Sequence, residues 1–157
     1  MNIIAIDPGK NGGIASRSVG VYSAQKMPLA GKEIDLNAIA HIVKETHVDI
    51  IVVEKASAMS KGGTPQGVVS MFTYGTGYGG LLGIAAALDI RIELVQPLAW
   101  KKVVLAGTPK DKDAAIAYCR RAFPQISLVP PKCRTPHDGM ADALCILEYG
   151  VRTFDAS

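Results

Sequence analysis

The sequence predicts an α/β domain built on a five-stranded mixed sheet flanked by helices. Two continuous apolar runs, at residues 2–6 and 50–53, are typical of strands covered on both faces. Between them, residues 36–43 show apolar side chains at helical spacing, and a strand, helix, strand order implies parallel pairing. A chain of 157 residues buries about 70% of its unfolded surface. We therefore expect residues 1–157 to form a single domain.

The other elements are predicted from turn and capping signals. Asp7-Pro8-Gly9 ends the first strand as a turn, and residues 12–17 and 20–26 predict an antiparallel pair of strands. Asp35 is the expected N-cap of the first helix, and the second buried strand covers residues 49–54. The remaining predicted elements are a strand at Arg91–Val95, a short helix around Trp100, a helix at 111–123, a proline-containing loop at 124–136 and a helix at 138–152.

Residues 62–83 contain eight of the sixteen glycines. A low-complexity linker is one interpretation of this density, but the interleaved apolar residues favour a glycine-rich loop that leads into a helix. Gly75, Gly79 and Gly83 are four residues apart and would form one smooth stripe on that helix. The stripe is either a packing seam within the chain or a subunit interface.

Composition excludes some classes of protein. With 48% hydrophobic and 20% charged residues, disorder is not expected. The chain has no apolar run of about 18 residues and no export signal, so we expect a cytoplasmic protein without a membrane segment. Three widely spaced cysteines predict reduced structural thiols.

The net charge of +3 is mild, but basic residues cluster downstream of the two buried strands. Such clusters would hold a negatively charged polymer around an acidic centre. They are Lys101, Lys102, Lys110, Lys112, Arg120, Arg121, Lys132 and Arg134.

Each buried strand ends on a carboxylate, Asp7 on the first and Glu54 on the second. Asp7 alone is explained equally well as a turn former. Glutamate is a poor strand residue, and after four buried residues its carboxylate loses hydration unless a cation or a donor meets it. Lys55 does not share its face of the strand. Since the carboxyl ends of central strands form the usual ligand crevice, we expect the two acids to meet there.

Asp138 and Asp142 are four residues apart, which places them on one face of the last helix. A solvated acidic face, with Asp138 as N-cap, is the alternative interpretation. Four carboxylates gathered in one place repel one another unless divalent metal lies between them. The sequence therefore favours metal-dependent phosphoryl chemistry.

The motifs around these acids resemble those of the RuvC-like Holliday junction resolvases, in the ribonuclease H-like superfamily. The similarity covers nearly the whole chain and is greatest to the branch with phage, bacterial and plastid resolvases. Many RuvC proteins space their last two metal ligands by three residues. That spacing would pair Asp142 with Gly139, which has no side chain to offer, whereas the four-residue spacing pairs it with Asp138. The motifs are IAIDPG at 4–9 with Gly12-Gly13, VVEK at 52–55, QPLAWKK at 96–102, KDK at 110–112 and HDGMADAL at 137–144.

The resemblance implies a ribonuclease H-like fold and hydrolysis assisted by two Mg²⁺ or Mn²⁺ ions per active site. Asp7 would bridge both ions, Glu54 and Asp142 would complete the two coordination spheres, and Asp138 would hold one ion and orient the attacking water. His137 is an alternative ligand or a supporting group. Cleavage would leave 5′-phosphate ends.

The resemblance also implies four-way branched DNA as substrate and a homodimer, because two symmetric cuts need two active sites. Lys112 would stabilise the scissile phosphate, with Lys101 and Lys102 on the DNA backbone. Phe72 and Tyr74, with Tyr78, would stack on opened bases, although each is also explained as a core aromatic. The protein would act in the cytoplasm of a bacterial or phage-infected cell, or in an organelle if a transit peptide has been removed.

Three alternatives stay open. A ribonuclease H-type or general branched-DNA nuclease would share every metal ligand. An actin-like nucleotide-binding protein would share the Asp7 turn, but the chain lacks room for two such lobes, so no nucleotide cofactor is expected. A junction-binding protein without catalysis is the third.

Overall fold

The computed structural model describes residues 1–56, 67–109 and 113–155, and its elements follow the predicted order. The strands are β1 (Ile3–Asp7), β2 (Gly13–Ser18), β3 (Val21–Lys26), β4 (Leu29–Ala30), β5 (Glu33–Ile34), β6 (Ile50–Glu54) and β7 (Arg91–Val95). The helices are α1 (Leu36–Glu45), α2 (Val68–Ala87), α3 (Pro97–Val104), α4 (Ala114–Ala122) and α5 (Asp138–Phe154).

Five strands form the main sheet in the order β3-β2-β1-β6-β7. β1 runs antiparallel to β2 and parallel to β6, and β7 runs parallel to β6. The predicted mixed sheet, with the two buried strands side by side at its centre, is confirmed. β4 and β5 form a separate hairpin that the pattern did not predict, because strands of two residues leave no periodicity to detect.

Both faces of the central strands are covered, which explains their continuous apolar runs. Ile3 and Val52 lie in the core that β1 and β6 share with α3, α4 and α5. Ile4 and Val53 lie on the opposite face, in the core under α1 and α2. Since consecutive strand residues alternate between faces, Asp7 and Glu54 belong to the face that α5 covers.

The helix starts follow from capping. Asp35 caps α1 as predicted, because its side chain accepts a hydrogen bond of 3.0 Å from the Ala38 amide. α5 begins at Asp138 as predicted, and the alternative interpretation of Asp138 as its N-cap is wrong. His137 is the cap, with its Nδ1 accepting from the Met140 amide at 3.3 Å, and Asp138 is the first helical residue.

The glycines of α2 divide into two groups. A Cβ on Gly80 would lie 2.5 Å from Leu36 Cδ1, so this face of α2 packs closely on the chain. At Gly75, Gly79 and Gly83, such a Cβ would meet no heavy atom of the described residues within 4 Å beyond the nearby backbone of α2 itself. The interpretation of this stripe as a packing seam within the chain is therefore wrong for the part that the structure describes.

Within the described ranges, no helix is long and apolar enough to cross a membrane. The three cysteines are free thiols, as predicted. Cys119 and Cys145 are buried with their sulfurs 3.8 Å apart, and Cys133 is exposed.

Candidate active site

Asp7 and Glu54 lie at the carboxyl ends of neighbouring parallel strands. The register pairs Ile6 of β1 with Val53 of β6, and each acid is the next residue on its strand. Parallel neighbours in register point their side chains to the same face of a sheet. The strands therefore bring two carboxylates together at one edge of the sheet, on the side of α5.

Glu54 is the buried charge among the described residues, with 8% of its surface exposed. Its Oε2 accepts a hydrogen bond of 2.7 Å from the indole Nε1 of Trp100. Trp100 comes from α3 and is fully buried. Burying a carboxylate is costly without a donor, and this indole supplies one where Lys55 does not.

A joint of three glycines attaches the turn after Asp7 to the start of α5. A Cβ on Gly12 would lie 1.9 Å from the Asp7 carbonyl oxygen, and one on Gly13 would lie 2.6 Å from the Gly139 oxygen. A Cβ on Gly139 would lie 2.4 Å from the Asn11 oxygen. These neighbours are backbone atoms, so only glycine fits at each position. The contact places the helix that carries Asp138 and Asp142 beside the turn that follows Asp7.

The two acids of α5 have different surroundings. Asp142 is half-buried and Asp138 is exposed. Asp138 lines a cleft of about 390 Å³ together with Asp113 and Arg120 of the α4 region. His137 has a structural role through its cap, and its backbone amide also donates to the Leu128 carbonyl at 2.9 Å.

Tyr74 of α2 reaches the same edge of the sheet. A Cβ on Gly9 would lie 3.3 Å from its Cε2 atom. Burial, followed by the negative charges of Asp7 and Glu54, raises the pKa of the Tyr74 phenol to about 12. Its ring stacks on Tyr78 with centroids 6.3 Å apart. Tyr74 is therefore an aromatic neighbour of the two strand-end acids.

Two basic residues of α3 follow Trp100 directly in the sequence. The Lys101 ammonium is 5.1 Å from the centroid of the Trp100 ring, a cation–π distance. Lys101 and Lys102 are exposed. Lys112, the predicted contact to the scissile phosphate, lies outside the described residues, as does Lys110.

The other predicted aromatic contact, Phe72, is exposed over 76% of its surface. The interpretation of Phe72 as a core aromatic is therefore wrong, whereas Tyr78 packs against the core under α1 and α2. Val68 and Val69 are exposed beside Phe72 at the start of α2. This apolar end of α2 stands out on a helix start, where polar residues are usual.

The donors at this site fit a divalent cation by their chemistry, because Mg²⁺ and Mn²⁺ take carboxylate oxygens as ligands. Asp7 and Glu54 supply such oxygens from one face of the sheet. Within residues 1–56, 67–109 and 113–155, no group of three His, Cys, Asp or Glu side chains is close enough together to hold an ion. The metal site remains a prediction that rests on donor chemistry and strand register.

Two features were missed at the sequence level. Trp100 was assigned only to a short helix, because a hydrogen bond across 46 positions leaves no local signal. The role of Gly139 was also missed, because it depends on contact with the backbone of Asn11 and Gly12, far away in the sequence. A larger groove, of about 710 Å³, lies along β3 and the proline-containing loop, and no predicted site residue lines it.

No protein-family model and no curated protein sequence matches the chain. Among solved structures, Thermus thermophilus RuvC in complex with a Holliday junction substrate is 16% identical, with a TM-score of 0.65 over 98% of this chain and 96% of that one. Thermus thermophilus RuvC alone is 15% identical, with a TM-score of 0.61 over 97% and 96% of the two chains. The yeast mitochondrial Holliday junction resolvase Ydc2 is 13% identical, with a TM-score of 0.51 over 92% and 75%. The predicted ribonuclease H-like fold is confirmed as the fold that these resolvases share.

Proposed function

We propose that this chain, which has the fold of the RuvC resolvases, is a metal-dependent endonuclease that resolves four-way DNA junctions. One observation carries the proposal: Asp7 and Glu54 end adjacent central strands on the face to which α5 brings two more acids. A fold of this kind serves several activities, so the proposed nuclease activity rests on the carboxylates and not on the fold. They would supply oxygen ligands at the carboxyl edge of the sheet, where ligands of such folds bind.

In this proposal, Asp7 and Glu54 would hold the cations from the sheet, and Asp142 with Asp138 would hold them from α5. Two bound Mg²⁺ or Mn²⁺ ions would activate the attacking water and stabilise the leaving 3′ oxygen. Asp138 is exposed at the first turn of α5, where it can orient a water molecule that arrives from solvent. The products would carry 5′-phosphates.

The substrate would approach along α3. Lys101 and Lys102 are exposed there and supply point charges for phosphates, and Lys112 is proposed for the scissile phosphate. Phe72 is exposed at the start of α2 and would stack on a base that the junction leaves unpaired. Tyr74 lies beside the acids, so its stacking would be limited to bases close to the cut.

A homodimer would supply the two active sites that paired cuts need. The glycine stripe of α2 is open among the described residues, and the exposed Val68 and Phe72 lie at its N-terminal end. Small residues in such a stripe let a second helix approach closely. We therefore propose α2 as the dimer seam.

The test is a cleavage assay on a four-way junction, a linear duplex and an RNA–DNA hybrid, each with Mg²⁺ and with EDTA. We expect symmetric nicks in the junction only, with ligatable 5′-phosphates. Asp7→Asn should keep junction binding in a gel-shift assay and abolish cutting. Asp49→Asn is the matched control, because Asp49 lies at the opposite end of the sheet. This variant should cut the junction as fast as wild type.

Other outcomes would identify the alternatives. Preferential cutting of the hybrid would replace the resolvase with a ribonuclease H-type enzyme. A wild-type protein that binds junctions tightly and never cuts them would indicate a junction-binding protein without catalytic activity.

A further inference from the structure

We propose that Trp100 is the positioning residue of this site: its indole N–H fixes the Glu54 carboxylate in the orientation that binds a divalent cation. The inference rests on the proposed function, because it concerns the same metal site. The inference goes beyond the proposed function because it assigns a role to a residue that touches neither cation nor DNA.

The geometry makes Trp100 a rigid partner. Its Nε1 is 2.7 Å from Glu54 Oε2, and the residues are 46 positions apart. Trp100 is 0% exposed, in the core cluster that also holds Val52, Val95 and Val104. A ring enclosed in this way cannot turn aside, so the direction of its N–H is set by the packing of α3 against the sheet.

The chemistry of the indole suits this role. Indole nitrogen donates and cannot accept, so it does not compete with the carboxylate for the cation. With Oε2 held by the indole, a cation would be taken by Oε1. Partners that orient a metal ligand in this way typically contribute about 10–100-fold to metal affinity.

The same ring is connected to the basic surface. The Lys101 ammonium lies 5.1 Å from the Trp100 ring centroid, on the residue next to Trp100 in the helix. One side chain thus orders a proposed metal ligand on its N–H edge and a proposed phosphate contact at its ring. Core packing alone requires the volume of the ring but not an N–H aimed at a carboxylate.

The first test measures Mg²⁺ affinity by titration calorimetry in wild type, Trp100→Phe and Phe123→Leu. Phe123 is another large buried residue of the same core cluster, so its variant reports what loosened packing does. We expect Trp100→Phe to lose about 10–100-fold in Mg²⁺ affinity and Phe123→Leu to bind as wild type at a comparable loss of Tm. Equal affinity of Trp100→Phe and wild type would overturn the proposal.

The second test needs no variant of Trp100. The chain contains a single tryptophan, so its fluorescence reports on the partner of Glu54 directly. Titration with Mn²⁺, whose charge on the Glu54 carboxylate would perturb the hydrogen-bonded indole without touching it, should give a saturable change of fluorescence that Asp7→Asn weakens. Calorimetric Mn²⁺ binding without a change in fluorescence would overturn the proposal even if Trp100→Phe fails to fold.

Different results would contradict the proposed nuclease function and the role of Trp100. A wild-type protein that binds no divalent ion contradicts the metal-dependent nuclease and this inference together. A wild-type protein that binds Mg²⁺ and cuts junctions, while Trp100→Phe binds Mg²⁺ equally well, contradicts this inference alone.

Discussion

Gly139→Ala tests whether the glycine joint positions the acids of α5. The added Cβ would lie 2.4 Å from the Asn11 oxygen and 2.5 Å from the Gly12 carbonyl carbon. Ordinary carbon–oxygen contacts are about 3.3–3.6 Å, so the start of α5 would have to move by about 1 Å. Both obstacles are backbone atoms, which cannot turn away as a side chain can.

The expected stability loss is that of overpacking, about 1–3 kcal/mol. In a chain of this size each kcal/mol lowers the Tm by about 2–4 °C. Since α5 carries Asp138 and Asp142, a displacement of about 1 Å should also slow junction cleavage by about 100-fold. Thermal unfolding followed by circular dichroism and single-turnover cleavage measure the two effects.

Gly150→Ala is the matched control on the same helix. Its Cβ would meet the Val52 Cγ2 methyl at 3.1 Å and the Ile3 Cγ2 methyl at 3.6 Å, contacts that side chains can relieve. We expect a smaller change in Tm and a cleavage rate within a few fold of wild type. Wild-type Tm and cleavage rate in Gly139→Ala would refute the idea that close backbone contact positions α5.

Three further predictions concern single residues. Phe72→Ala should leave unfolding within about 0.5 kcal/mol of wild type, because the side chain is exposed, while junction binding measured by fluorescence anisotropy weakens by about 1–3 kcal/mol; unchanged binding would remove Phe72 from the DNA surface. The pKa of Tyr74 is raised to about 12, so the stability due to its neutral phenol is complete below about pH 10 and is lost as pH rises toward 12. Tyr74→Phe should flatten that alkaline loss in urea unfolding, and an unchanged profile would contradict the raised pKa. Contact with Cys119, followed by burial, raises the pKa of the Cys145 thiol, so Cys133 should react alone with a thiol reagent in the native protein and all three cysteines after denaturation; fast reaction of two thiols in the native state would contradict the burial.

The parts of the fold that could be predicted were those with a long hydrophobic pattern. The runs before Asp7 and Glu54 are continuous because α5 and α2 cover opposite faces of the same strands. That pattern placed the two acids at strand ends, and the strand, helix, strand order placed the strands next to each other.

Features that depend on contact between distant backbones were not predictable. In the sequence, Gly139 indicates only that a side chain is missing. A glycine is needed there because the helix contacts the backbone of a turn more than 120 positions earlier in the chain. The sequence did not decide whether His137 or Asp138 caps α5, because both are polar and the cap is decided by backbone geometry. Likewise, nothing local distinguishes a tryptophan that fills a core from one that also donates to Glu54.

Anomalous scattering from a crystal of the protein soaked in Mn²⁺ would locate the metal site itself. We expect anomalous peaks at the carboxyl ends of β1 and β6, bounded by Asp7, Glu54 and the first turns of α5. Anomalous peaks only elsewhere on the protein, with this edge of the sheet filled by water alone, would contradict the assignment of these acids to a metal-dependent nuclease site.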